Sequence, residues 1–278
     1  MLIGNKEFDT ENNCYIMGIL NFTPDSFSDG GAFNSLDTAL KHVEQMIADG
    51  MDILDIGGES TRPGYIKISD DEEISRVVPI IEAVKNRFDI PVSLDTYKYR
   101  VAKAGIKAGA DLINDIWGLK YDNGEMAKLI AESGLPCCLM HNRKNIDYVN
   151  FMDDLISDLK ITLDIAHKAG IVSDKIILDP GVGFAKTYEN NLEAIDRLDL
   201  LRSSLGYPVL LGASRKSVIG LTLDLPADDR LEGTLAVTVV GAMRRASFIR
   251  VHDVKENVRA LRMTQAIMKG YSNGQNMY

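Results

Sequence analysis

Eight short apolar runs, each followed by a segment of helical period, predict a single-domain (β/α)8 barrel, the TIM-barrel architecture. Two further observations support that fold class. The runs are too continuously apolar to alternate cleanly, as strands covered on both faces are. The 278 residues also suit one such barrel, and no linker, internal repeat or shift in composition divides them. The expected domain is the whole chain, with its core over about 14–270 and a polar tail, 271–278, that frays.

The elements follow in strict alternation. YIMGILNF (15–22) precedes a helical segment at 36–49, DILDIGG (52–58) one at 70–88, and PVSLDT (91–96) one at 98–108. DLINDIW (111–117) leads to 124–133, PCCLMH (136–141) to 151–169, and KIILDPG (175–181) to 188–204. PVLLGAS (208–214) leads to 230–245 and SFIRVHD (247–253) to 254–269. Asp49-Gly50, Gly109 and Gly170 fit helix C-termini, where a left-handed residue ends the hydrogen-bond ladder.

Composition limits the function classes. The chain is 45% hydrophobic and 26% charged, with net charge −9 and pI near 5.0. That balance argues against a nucleic-acid binder, which carries a basic stripe. It leaves room for an anionic small substrate, because local cations act within a Debye length. Three cysteines, two of them adjacent, and no secretory signal or long apolar segment predict a reduced cytoplasmic protein without a membrane partner. Cys137 and Cys138 fall on opposite faces of one strand and cannot chelate a metal together.

Polar residues close almost every strand: Asn21, Glu59 and Ser60, Asp95, Asn114 and Asp115, His141, Asp179, Ser214 to Ser217, then Arg250 and His252. In a barrel these meet at the C-terminal rim, where active sites form. Helix capping explains any one of them, but hardly all of them. Asp179, in LDPGVGF, is an acceptor suited to a ligand edge with two adjacent N–H donors. Gly181 and Gly183 would let a flat ligand approach the backbone, and Asp95 and Asn114 would add in-plane contacts. Arg62, Arg215, Lys216, Arg250 and His252 bring cations to the same rim, which suits an anionic ligand. His42 and His167 read as ordinary helix-face residues, and Trp117 as rim packing. With no Cys/His cluster, a metal here would be a hard cation held by oxygen, which favours Mg2+ beside a phosphate-bearing substrate.

Taken together, MGILNFTPDSFSDGG, DIGGESTRPG, SLDTYK, INDIWG, LMHNR, LDPGVGFAKT, GASRKS and RVHDV resemble the dihydropteroate synthase family. The resemblance runs in order from about Met17 to Val254. It implies a homodimeric transferase of folate biosynthesis and a sulfonamide target. Such an enzyme condenses 6-hydroxymethyl-7,8-dihydropterin diphosphate with p-aminobenzoate, releasing diphosphate, by an SN1-like substitution with Mg2+. By the same resemblance Asp95, Asn114, Asp179 and Lys216 bind pterin. Asn21, Thr61, Arg250 and His252 take the diphosphate, Asn21 and Asp25 contact the metal, and Phe27, Ser28, Arg62, Pro63 and Ser217 surround p-aminobenzoate. Phe27, on the glycine-ended loop LNFTPDSFSDGG, is expected to cover that substrate as part of a lid. Two other readings stay open. A pterin-binding methyltransferase domain shares the barrel and the Asp/Asn/Asp pocket, and a degenerate paralogue would bind without turnover.

Overall fold

The computed structural model describes residues 1–22, 31–59 and 67–270, with the backbone alone for 31–35. Asp25, Phe27, Ser28, Thr61, Arg62 and Pro63 lie outside the described residues. A hairpin of β1 (Leu2–Ile3) and β2 (Lys6–Glu7) precedes the barrel. Then come β3 (Tyr15–Asn21), α1 (Gly31–Ala48), β4 (Ile53–Gly57), α2 (Asp70–Arg87), β5 (Val92–Asp95), α3 (Tyr99–Ala108), β6 (Leu112–Asp115) and α4 (Glu125–Ser133). The second half runs β7 (Cys137–Met140), α5 (Phe151–Ala169), β8 (Ile176–Asp179), α6 (Tyr188–Asp196), α7 (Leu198–Leu205), β9 (Leu210–Leu211), α8 (Ser217–Leu223), α9 (Leu231–Met243), β10 (Phe248–Val251) and α10 (Val254–Gly270).

The eight strands β3 to β10 form one parallel sheet in the order β8-β7-β6-β5-β4-β3-β10-β9. A bridge between Leu178 and Val209, with Leu178 N donating to the Pro208 carbonyl at 2.9 Å, joins the two ends and closes the barrel. All eight expected strands are therefore present. Three details differ from the sequence reading. The segment 188–204 is two helices, because Arg197 leaves the helical region at φ −107° and ψ 29°. The hairpin and α8 had no clear periodic signal, since each is too short to show one.

Two apolar layers hold the fold. The outer one packs outward strand residues such as Ile16, Leu54, Leu94, Ile113, Cys137 and Leu178 against the helices. The inner one fills the lower barrel with Met17, Ile53, Leu112, Cys138, Ile177, Leu210 and Phe248, and Ile3 and Phe8 of the N-terminal segment plug it from below. Phe8 meets Tyr15 edge-on at 4.9 Å and Phe248 at 5.6 Å. Cys137 and Cys138 thus face opposite layers, as strand geometry requires, and all three cysteines are free and buried. Among the described residues no helix is long and apolar enough to cross a membrane.

Candidate functional site at the barrel mouth

Above the apolar plug the inward positions become polar. Asn21, Gly57, Asp95 and Asn114 are successive register partners on β3, β4, β5 and β6, so they stand in one row. A methyl group on Gly57 would lie 3.7 Å from both Asn21 Oδ1 and Asp95 Cβ. One on Gly212 would lie 3.7 Å from Asp179 Oδ2 and 3.9 Å from Arg250 Cβ. These two glycines leave the space between the polar side chains open. Asp95, Asn114, Asp179 and Arg250 therefore meet at one mouth, with Asn21 at its edge.

Below that row sits a buried ion cluster. Arg250 Nε donates to Asp55 Oδ2 at 2.6 Å, and its Nη2 donates to Asp95 Oδ2 at 2.7 Å. Ser93 Oγ donates to Asp55 Oδ1 at 2.5 Å. Burial raises the Asp95 pKa above the usual carboxylate range against the pull of Arg250, and the Asp55 charge adds to the rise. For Asp179, too, burial outweighs the nearby Lys216 and raises the pKa. Its Oδ1 accepts from Gly181 N at 2.6 Å.

Lys216, half-buried at the N-terminal end of α8, donates to the Val182 carbonyl at 2.5 Å and lies 4.8 Å over the Phe184 ring. Burial lowers its pKa to about 8, with Asp179 opposing that fall. Gly183, at φ +86°, makes room for the Lys216 stem, since a Cβ there would meet Lys216 Cδ at 3.1 Å. Gly181 meets a steric demand of the fold itself. At φ +71° its chain crosses β7 so closely that a Cβ would stand 2.0 Å from the His141 carbonyl oxygen. Ser217, the first residue of α8, is exposed. Ser214 Oγ bonds His252 Nδ1 at 3.0 Å and accepts from His252 N at 3.2 Å, which fixes the ring.

The other strand-end polar residues are engaged by partners outside that row. Asp115 accepts from Trp117 N and Leu119 N and so caps its own turn. Glu59 accepts from Tyr97 OH at 2.8 Å, Lys98 Nζ at 2.7 Å and Ile68 N at 2.9 Å, and Lys98 also reaches Glu73 at 2.7 Å. His141 Nε2 faces Asp158 at 2.9 Å, and its Nδ1 faces Lys186 Nζ at 3.0 Å. Arg215 is committed to Asp253. Sequence reasoning missed Asp55, Ser93, Phe184 and Lys186. The signal for Asp55 was present in the alternation Ile53, Asp55, Gly57, which puts an acid on the inward face.

Known proteins resemble this chain in sequence and in fold. The family model described as pterin binding enzyme matches residues 17–252. A dihydropteroate synthase of Clostridium beijerinckii is 61% identical over 270 residues, covering 97% of this chain and all of its own length. One from Bacillus subtilis is 52% identical, over 91% of this chain and 88% of its own. A solved dihydropteroate synthase of Clostridium difficile, in the presence of pteroic acid, superposes with TM-score 0.90 at 49% identity, covering 94% of this chain and 99% of that one. That of Xanthomonas albilineans with 4-aminobenzoic acid gives TM-score 0.87 at 38% identity, covering 92% and 94%.

Proposed function

This chain belongs to the pterin-binding enzyme family, among its dihydropteroate synthases, and from that premise we propose how its residues divide the work. The reaction joins a dihydropterin methylene diphosphate to p-aminobenzoate: the carbon–oxygen bond to diphosphate breaks, a carbon–nitrogen bond forms, and the arylamine gives up a proton. The observation that carries the residue assignment is the convergence of Asp95, Asn114 and Asp179 on one mouth, above an apolar plug.

Asp179 accepts from the paired N–H edge of the pterin, and Asp95 and Asn114 fix the ring in its plane. Each charge-assisted bond contributes about 1.5–3 kcal/mol, and several are needed to hold a flat heterocycle in one orientation. Substrate donors also satisfy carboxylates that burial otherwise disfavours as anions. Lys216 closes one side of the ring, and Ser217 together with Arg62, Pro63, Phe27 and Ser28 receives p-aminobenzoate. His252, oriented by Ser214, Arg250 and Thr61 serve the diphosphate. The substitution is SN1-like: the electron-rich pterin spreads the positive charge left on its methylene, so a weakly nucleophilic arylamine suffices.

Among the described residues no group of three or more His, Cys, Asp or Glu could hold a metal by itself. The donor set fits a hard cation carried largely by substrate oxygens, with Asn21 at the end of β3 supplying an amide oxygen and Asp25 a carboxylate. When bound, Mg2+ neutralises charge that grows on the departing diphosphate. Purified protein incubated with pterin diphosphate, p-aminobenzoate and Mg2+ should release diphosphate at a rate that depends on p-aminobenzoate; the absence of any release that depends on p-aminobenzoate would overturn the assignment.

The working unit is a homodimer in the cytoplasm. α9 buries Thr234, Thr238, Gly241 and Ala242 and turns Val240 and Met243 outward, beside exposed Met263, Ile267 and Met268 of the adjacent α10. Such an apolar face suits a second copy of the chain. Met243→Glu combined with Ile267→Glu should give monomers in sedimentation equilibrium, and an unchanged mass would exclude this face.

A further inference from the structure

Two carboxylates share the Arg250 guanidinium: fully buried Asp55 holds Nε, and Asp95 at the mouth holds Nη2. Asp55 and Asp95 lie two residues apart in register on neighbouring strands, for Gly57 pairs with Asp95 and Asp55 with Ser93. Asp55 sits too deep in the barrel to touch a ligand bound in the mouth. It is nonetheless fixed from both sides, by Ser93 Oγ on Oδ1 and by Arg250 on Oδ2. A carboxylate with no exposed surface is costly unless it serves its partners.

We propose that Asp55 is a positioning residue for the pterin subsite: it sets the Arg250 guanidinium against Asp95 Oδ2, so that Asp95 presents its other oxygen to the ligand. The guanidinium fork is planar and rigid, so holding Nε fixes the direction of Nη2. Without Asp55 the guanidinium can swing, either pairing with Asp95 through both terminal nitrogens or turning towards Asp179. In the first case Asp95 loses the oxygen that faces the mouth, and in the second it loses its tether. Ser93 acts on the same chain of contacts one step further out.

This inference rests on the reading of Asp95 as a pterin contact, and a double-mutant cycle separates the two. Asp95→Asn should weaken pterin diphosphate binding in calorimetry; if it does not, the reading of Asp95 fails. Asp55→Asn should weaken the same binding about tenfold and leave the KM for p-aminobenzoate within about twofold. The two losses should be strongly non-additive, with Asp55→Asn costing less than about threefold once Asp95 is Asn. Additive losses, or unchanged pterin affinity in Asp55→Asn, would overturn the positioning role even where Asp95→Asn binds poorly. Ser93→Ala keeps all three charges and provides a second arm if Asp55→Asn does not fold. It should weaken pterin diphosphate binding about threefold, again only while Asp95 is present, and unchanged binding would overturn the proposal.

Discussion

The lower and upper halves of the barrel are built from the same eight strands, yet their interiors have opposite chemistry. Below, Met17, Ile53, Leu112, Cys138, Ile177, Leu210 and Phe248 close around Ile3 and Phe8 with almost no exposed surface. Two to four residues further along five of these strands stand Asn21, Asp55, Asn114, Asp179 and Arg250, and β5 adds Asp95 beside them. The plug supplies packing that no ligand needs to complete, so the mouth can hold charges that weaken the fold and that, on the proposed reading, strengthen binding. Stability and function are thereby separated along the barrel axis.

The largest effect expected is on the plug. Phe8→Ala should lower unfolding free energy by about 3–5 kcal/mol in urea titration, because it empties the centre of the inner layer. Pterin diphosphate affinity of the folded protein should change less than about twofold; a parallel loss of affinity would show that the two halves are not separable. Lys98→Met addresses buried charge outside the barrel. It strands Glu59 and Glu73, both nearly buried, and should cost about 3 kcal/mol of stability. In Asp179→Ala the order of effects reverses. Pterin diphosphate binding should weaken by at least about 2 kcal/mol, roughly thirtyfold, while the ligand-free protein unfolds at the same or a higher urea concentration. A marked loss of stability in that variant would place Asp179 with the plug rather than the mouth.

The smallest effect concerns pH. Burial, aided by the Lys186 charge, lowers the His141 pKa from 6.5 to about 4, against the pull of Asp158. A base whose pKa falls on folding stabilises the protein above its unfolded pKa and loses that contribution as pH falls. His141 should therefore withdraw about 1 kcal/mol of stability between pH 6.5 and about pH 5.5, a loss that the raised Asp95 pKa offsets in the wild type. His141→Gln should gain that amount relative to wild type over the window in urea titration. An unchanged difference between variant and wild type across that window would exclude His141 as its source, for the mouth carboxylates, with pKa values raised on folding, contribute the opposite slope.

Much of this was legible before folding. The eight strands follow from apolar runs, and seven of the eight helical segments appear as single helices close to their expected bounds. The mouth residues Asp95, Asn114 and Asp179 stood out because they end buried strands. Sequence reasoning grouped them with Glu59, Asp115 and His141, which the structure gives to a clasp, a turn cap and an ion chain. Asn114 and Asp115 show why: neighbours on a strand point to opposite faces, so only one of the two can enter the mouth.

The sequence by itself determined the elements and their order, because strand and helix periodicity is written within a few residues. It determined the family as well, because the motifs at the strand ends occur in a fixed succession. Only the tertiary structure decided which polar residues face inward and which ions share a partner. Arg250 meets Asp55 across 195 positions and Asp95 across 155, and closure of the barrel creates those contacts. Pairing of buried charge is a demand of the low-dielectric interior, and no local pattern records which residues will meet it.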